Sequence, residues 1–254
     1  MNSIFCITGM HRSGTSLLMS WLESCGLQIS DGGLVPDGTG NITGHFEDQE
    51  FVELHLKTIS KAIPGSKGWI VTNKHDLGKL SLDHKDMTDI LITRNKRYPL
   101  WGWKDPRTIL FISRWKECIP DLKTIFIWRP CIEVINSLIR RANQSNKSVL
   151  QISRWQAMNL WKLSNKLLIN FHKEHPEETI VTSLQNLIDN DYSLFEYINK
   201  IFPDEFIYNP ISRIYDRSWI HREENFVSTF IVNLDPQINK ITKRLIDISF
   251  CGGQ

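Results

Sequence analysis

The sequence predicts an α/β fold of three layers, α/β/α, with helices on both faces of a central, mostly parallel sheet. Three observations predict it. Short apolar, β-branched runs alternate with longer stretches of helical periodicity, a pattern that implies right-handed crossovers and a sheet covered on both faces. The clearest run, Lys123 to Trp128 (KTIFIW), lacks polar alternation, as a strand buried on both sides requires. A Gly-x-x-x-x-Gly loop joins the first such run to the first helical stretch, which makes the expected fold P-loop-containing. No repeat, low-complexity tract or linker interrupts the 254 residues, so one domain spanning 1–254 is expected.

Each element has a local reason. Ser3 to Thr8 (SIFCIT) reads as a strand ending at Gly9, and Ser16 to Cys25 as a helix closed by Gly26. Residues 31 to 44 (DGGLVPDGTGNITG) hold five of the fourteen glycines and form a loop. Glu47 to Ile63 carries Phe51, Leu54 and Ile59 at near-helical spacing until Pro64 and Gly65 stop it. A helix over 84 to 97 precedes the strand Leu100 to Lys104 (LWGWK), which feeds a helix starting near Thr108. Pro130 follows the Lys123 to Trp128 strand, where proline suits a helix's first turn. Residues 148 to 174 read as a long helix, Thr179 to Ser183 (TIVTS) as a strand, and two helical patterns follow.

Composition narrows the function classes. A net charge of +2, from 30 Lys and Arg against 28 Asp and Glu, is far from that of a protein wrapping a nucleic-acid backbone, so anion binding must be local. The five cysteines (Cys6, Cys25, Cys118, Cys131, Cys251) are odd in number, scattered and without a CxxC pair. They read as mostly buried thiols of a reducing compartment, not a disulfide frame or zinc site. No apolar run is long enough to span a membrane and no signal peptide is encoded, so the expected location is the cytoplasm. The nine tryptophans read as core and pocket aromatics.

Gly9-Met10-His11-Arg12-Ser13-Gly14-Thr15-Ser16 sits where an anion cradle needs it, after a strand and opening a helix. The lysine that follows the second glycine in nucleotide triphosphatases is replaced by Thr15, and Arg12 supplies positive charge earlier. Without that lysine or an evident acidic strand end for Mg²⁺, a triphosphate would be poorly compensated; a donor with less charge at the transferred group fits better.

Four segments carry a resemblance to a known family. GMHRSGTSLL resembles the 5′-phosphosulfate loop of sulfotransferases that use 3′-phosphoadenosine 5′-phosphosulfate (PAPS), most like the bacterial enzymes and more distantly the protein-tyrosine sulfotransferases. Arg129 at a strand end and Ser137, eight residues on in the next helix, match the family's 3′-phosphate pair; a guanidinium fork and a hydroxyl two turns along can converge on one phosphate. Trp103-Lys104-Asp105-Pro106-Arg107 resembles the Lys-Asp-Pro segment of the tyrosine sulfotransferases, 25 residues from Lys104 to Arg129. Gly44-His45-Phe46-Glu47 is similar to the Gly-aromatic-aromatic-Glu segment of bacterial relatives, with His45 in the first aromatic place.

The resemblance implies PAPS as donor and adenosine 3′,5′-bisphosphate (PAP) as product, with in-line transfer of a sulfonate to an acceptor hydroxyl or amine. It assigns Arg12, Ser13, Gly14, Thr15, Ser16, Arg129 and Ser137 to donor binding, Arg12 and Lys104 to stabilising the leaving phosphate, and Glu47 to taking the acceptor proton. It implies no metal requirement and no nucleic-acid partner; carbohydrate, natural product, lipid or peptide all remain open as acceptor, as does oligomeric state. In the late strand and turn over 178 to 190, Leu184 and Gln185 replace a more usual Tyr and Glu; Leu17 stands where cytosolic sulfotransferases stack a tryptophan on adenine, so the adenine platform is not identified. His172 and His175 read as surface residues, and Arg213, Arg217, His221 and Arg222 as a basic loop that either is solvated or closes over an anion. Two other classes share part of the pattern: a P-loop nucleotide or small-molecule kinase, and a non-catalytic PAPS- or nucleotide-binding module.

Overall fold

The computed structural model describes residues 2–29, 33–34, 44–203, 206–216 and 225–252. β1 (Ser3–Thr8) leads through the glycine loop into α1 (Thr15–Ser24), and a two-residue strand β2 (Gln28–Ile29) follows. Next come α2 (Gln49–Ala62), the single turn α3 (Lys74–Leu77), α4 (His84–Arg97) and β3 (Leu100–Lys104). α5 (Ile112–Cys118), β4 (Lys123–Trp128), α6 (Cys131–Asn143), α7 (Arg154–Glu174) and β5 (Thr179–Ser183) continue the alternation. The chain finishes with α8 (Leu184–Asp189), α9 (Asp191–Ile201), α10 (Phe226–Asn233) and α11 (Pro236–Ile248).

Among the described residues the sheet has five strands in the order β2-β3-β1-β4-β5, every pair parallel. From β1 the chain goes to the edge strand β2, returns to lay β3 between them, then crosses to build β4 and β5 on the other side of β1. Such a reversal opens a crevice outside the carboxyl ends of the strands, where ligands of open α/β sheets bind.

Side-chain alternation sorts each strand between two cores. Ile4, Cys6, Trp101, Trp103, Phe126 and Trp128 face helices α2, α5, α6, α7 and α11, whereas Phe5, Ile7, Ile125, Ile127 and Ile180 face α1, α8 and α9. That is the three-layer arrangement expected of strands without polar alternation. The first core holds most of the tryptophans: Phe51 stacks on Trp103 at 4.5 Å, and Trp115 packs against both at 5.0 and 5.2 Å. Cys6, Cys25 and Cys131 are buried free thiols, Cys118 is half-buried and Cys251 exposed. No helix among the described residues is long and apolar enough to cross a membrane.

Differences from the expected elements have local causes. The helix expected near Thr108 is a 3-10 turn over Pro106–Leu110 followed by α5, because Asp105 caps the turn and Phe111, at φ −124°, breaks the helical path. The helix expected from 148 starts at Arg154, where Ser153 and Gln156 form a reciprocal capping box. After β5 the described residues hold four helices instead of two; the first pair parts at Asn190, whose ψ of 37° leaves the helical region. Of the glycine loop expected over 31 to 44, only 33, 34 and 44 are described; Gln49 N–H bonds Gly33 O and Leu34 bridges Asp48, tying it to the start of α2.

Candidate functional site

The loop after β1 is shaped by two positions that exclude a side chain. A Cβ on Gly9 would stand 2.1 Å from the Ile127 carbonyl oxygen, and Gly14, at φ +97°, would bring one within 2.6 Å of Leu184. Gly14 caps α1, with Thr15 and Ser16 forming the helix's first turn, so backbone N–H groups open onto the crevice. Arg12 sits at φ +68°, a left-handed conformation unfavourable for a side chain, and Ser13 is buried with its Oγ lacking a hydrogen-bond partner. A strained residue beside an orphaned hydroxyl, at a helix N-terminus, is the arrangement of an anion cradle.

That cradle is joined to the strand-end motif. The Arg12 Nε donates to Ser137 Oγ across 3.0 Å. Arg129, at the carboxyl end of β4, donates from Nε to Glu133 at 2.7 Å, while its own carbonyl accepts the Trp161 indole N–H. Burial, with Arg141, Arg129 and Arg140 crowding in, pushes the Arg12 pKa down to about 10. Four guanidiniums are thus gathered at this point of the fold, where an anion would be favoured. Arg140 and Arg141 escaped the sequence reading, although their signal was present: they follow Ser137 by three and four positions on α6, one face of one helix. Arg141 also lies over the Trp69 ring at 5.6 Å, and His11 meets that ring edge-on at 5.1 Å. Burial beside Arg107 and Arg141 lowers the His11 pKa well below the usual range, which keeps the ring neutral.

Lys104 and Glu47 form the other wall. The Lys104 ammonium, 1% exposed, donates to Glu47 Oε1 at 2.8 Å, the His45 carbonyl at 2.7 Å and Ser16 Oγ at 3.0 Å. Burial lowers its pKa and the Glu47 charge offsets part of that. Glu47 is aimed inward by a tight turn in which Gly44 (φ +95°) and Phe46 (φ +50°) are left-handed, one residue ahead of the Asp48 cap of α2. Arg107 Nη1 stands 3.7 Å from the second Glu47 oxygen. Ser16 thus links Lys104 to the cradle, and Arg12 links the cradle to Ser137. The structure thus brings Arg12 to Ser137 and Ser16 to Lys104 and Glu47, while Arg129, near enough to lower the Arg12 pKa, pairs with Glu133.

Beneath it lies a polar chain that sequence reasoning missed. Asp105 is fully buried; one carboxylate oxygen accepts the Arg107 backbone N–H at 2.9 Å and Nη1 at 2.8 Å, the other contacts His55 Nδ1 at 2.7 Å. The Trp115 indole N–H donates to His55 Nε2 at 3.0 Å. Burial by itself would raise the Asp105 pKa, but Arg107 and His55 hold it well below the usual carboxylate value.

The remaining sequence candidates lie elsewhere. Leu17 packs against the second core. His172 bonds Thr179, and His175 is 4.0 Å from Glu178. Among the described residues no group of three or more His, Cys, Asp or Glu converges as a metal site. Arg213 is exposed and reaches Asn209 at 3.4 Å, while Arg217, His221 and Arg222 lie outside the described residues.

No protein-family model matches the chain, and no curated protein sequence does. Among solved structures the chain is similar to the sulfotransferase domain from the curacin biosynthetic pathway, at 14% identity and a TM-score of 0.55, with 96% of this chain and 97% of that one covered. It is also similar to the sulfotransferase domain from the Synechococcus PCC 7002 olefin synthase, at 13% identity and a TM-score of 0.51, covering 97% of this chain and 94% of that one. At these identities the likeness shows a shared fold.

Proposed function

We propose that this chain is a sulfotransferase that moves a sulfonate from PAPS to an acceptor hydroxyl or amine, leaving PAP. The observation that carries the reading is the Arg12–Ser137 contact, which joins the helix-mouth loop to the helix bearing Ser137 and supports one ligand with anionic groups at two places. Two solved domains sharing the fold are sulfotransferase domains, which supports the same chemistry here. The residues fit such a donor: an orphaned Ser13 hydroxyl, glycines that admit a close ligand and a cluster of guanidiniums.

PAPS supplies an activated sulfonate on a phosphate leaving group. The chain's residues bind, align and manage charge. Ser13 to Ser16 and Arg12 hold the 5′ end, while Arg129 and Ser137 hold the 3′-phosphate and keep the donor in line with the acceptor. Lys104, now paired to Glu47, turns to the bridging oxygen where negative charge accumulates. That exchange releases Glu47 to take the acceptor's proton. With three buried free thiols, the proposal puts the reaction in a reducing compartment, the cytoplasm.

The direct test is a thermal-shift and calorimetric comparison of PAP with ADP and ATP, with and without Mg²⁺, followed by labelled PAPS offered to carbohydrate, natural-product, lipid and peptide acceptors. At a hundredfold excess over Kd, PAP should add about 2.7 kcal/mol, a Tm rise of roughly 5–11 °C, without Mg²⁺. Preference for ATP with Mg²⁺ would instead indicate a kinase, and tight PAP binding with no transfer to any acceptor a binding module.

Two further outcomes are expected. Arg129→Ala should raise the donor KM about 10- to 100-fold with kcat nearly unchanged, because a charged hydrogen bond used only for holding is lost. Equal loss in kcat would remove the holding role. Transfer should also proceed at an undiminished rate in excess chelator; a drop of tenfold or more would contradict the metal-free scheme.

A further inference from the structure

The buried chain Trp115–His55–Asp105–Arg107 asks for an explanation that capping does not supply. Asp105 caps the Pro106–Leu110 turn with one oxygen, through the Arg107 backbone N–H. Its second oxygen is given to a fully buried histidine 50 residues away, at 2.7 Å. The histidine's tautomer follows from its neighbours. Trp115 can only donate, so His55 Nε2 must offer its lone pair, the ring proton resides on Nδ1, and that proton is given to Asp105. The ring is held flat against Phe111, with centroids 4.9 Å apart and planes 9° from parallel. Both oxygens of Asp105 are thereby fixed in direction, and the one that accepts the Arg107 backbone N–H also holds Arg107 Nη1 at 2.8 Å, an atom that stands 3.7 Å from Glu47.

We infer that His55 is a positioning residue for transfer: as an Nδ1–H donor locked by Trp115, it orients Asp105, which aims Arg107 at Glu47 and so sets the geometry of the Glu47–Lys104 pair. His55 touches no reactant and acts through Asp105 alone. The inference rests on the transfer reading for its kinetic consequence, whereas its structural half does not require a nucleotide.

The test compares His55→Asn with His55→Phe in the full chain. Asparagine sets an amide N–H where Nδ1 lies and preserves the bond to Asp105; phenylalanine keeps the ring stack and removes the bond. His55→Phe should leave PAP affinity within about twofold yet slow PAP release from saturating PAPS, with water taking the sulfonate as sulfate, about 10- to 100-fold, the scale set by small misplacements of reacting groups. His55→Asn should stay within about threefold of the unmodified protein. Amide hydrogen exchange at Arg107, measured without nucleotide, should speed up in His55→Phe and not in His55→Asn. If His55→Phe does not fold, His55→Gln takes its place, since its amide lies near Nε2 and serves Trp115 instead of Asp105. A folded His55→Phe or His55→Gln with unchanged PAP release, or a His55→Asn as slow as either, overturns the inference. So does equal Arg107 exchange in the two variants, an outcome readable even if the unmodified protein fails to bind PAP, which would sink the donor assignment by itself.

Discussion

On the proposed function, Lys104→Ala should lower kcat for sulfonate transfer by about 10²- to 10³-fold while PAP affinity stays within a few-fold. The scale is that of removing one preorganised donor from a site where charge develops in the transition state. Lys104 qualifies because it is 1% exposed, its ammonium is already directed by three acceptors, and Ser16 ties it to the cradle at 3.0 Å. A buried cation stabilises a developing charge far more than one in solvent. Because that contribution is absent before the bond breaks, it belongs in kcat, whereas Arg129 belongs in KM. Steady-state kinetics with PAP titration separates the two; an unchanged kcat in a folded Lys104→Ala protein removes Lys104 from the chemistry. The variant also takes the ammonium from Glu47, whose other oxygen stands 3.7 Å from Arg107, so a circular-dichroism melt accompanies the rates.

Asp105→Ala costs about 3–5 kcal/mol of stability, equivalent to a Tm loss of roughly 6–20 °C for a chain of this size. Removing the carboxylate leaves the largely buried Arg107 guanidinium with only the longer contact to Glu47 among those described, and takes the acceptor from His55 and from the first N–H of the following turn. A buried pair is weak support for stability in itself; breaking one partner is what costs. The pH dependence has a definite sign. Asp105 titrates well below its ordinary value in the folded protein, so its contribution is complete above about pH 4 and is lost as pH falls below that. The stability gap between the unmodified protein and Asp105→Ala should therefore be constant from pH 5 to 8 and narrow only in stronger acid. Scanning calorimetry across that range checks it, and a gap under about 1 kcal/mol at pH 7 contradicts the network.

The four longer strands were legible to the residue. Ser3–Thr8, Leu100–Lys104, Lys123–Trp128 and Thr179–Ser183 are apolar runs bounded by turn signals, and a strand buried on both faces has no other way to be written. Helix starts were less legible. Whether Ser153 caps depends on Gln156 answering it, and whether a helix follows Asp105 depends on how Phe111 packs; both are decided by neighbours. β2 has only two residues, too few for any period to show.

For the site, local sequence determined the glycine loop, the strand-end Lys104 and Arg129, and the helical Ser137, because each depends on a turn or a spacing within one element. Only the tertiary structure decided that Glu47 would be the counter-ion of a lysine 57 positions on, that Arg12 would reach Ser137, 125 positions away, and that Arg140 and Arg141 would crowd them. The same holds for His55 against Asp105. The reason is physical: apolar burial repeats with the period of the helix or strand and so leaves a trace in order, whereas a buried polar contact joins single residues from distant elements and leaves none until the sheet brings their ends together.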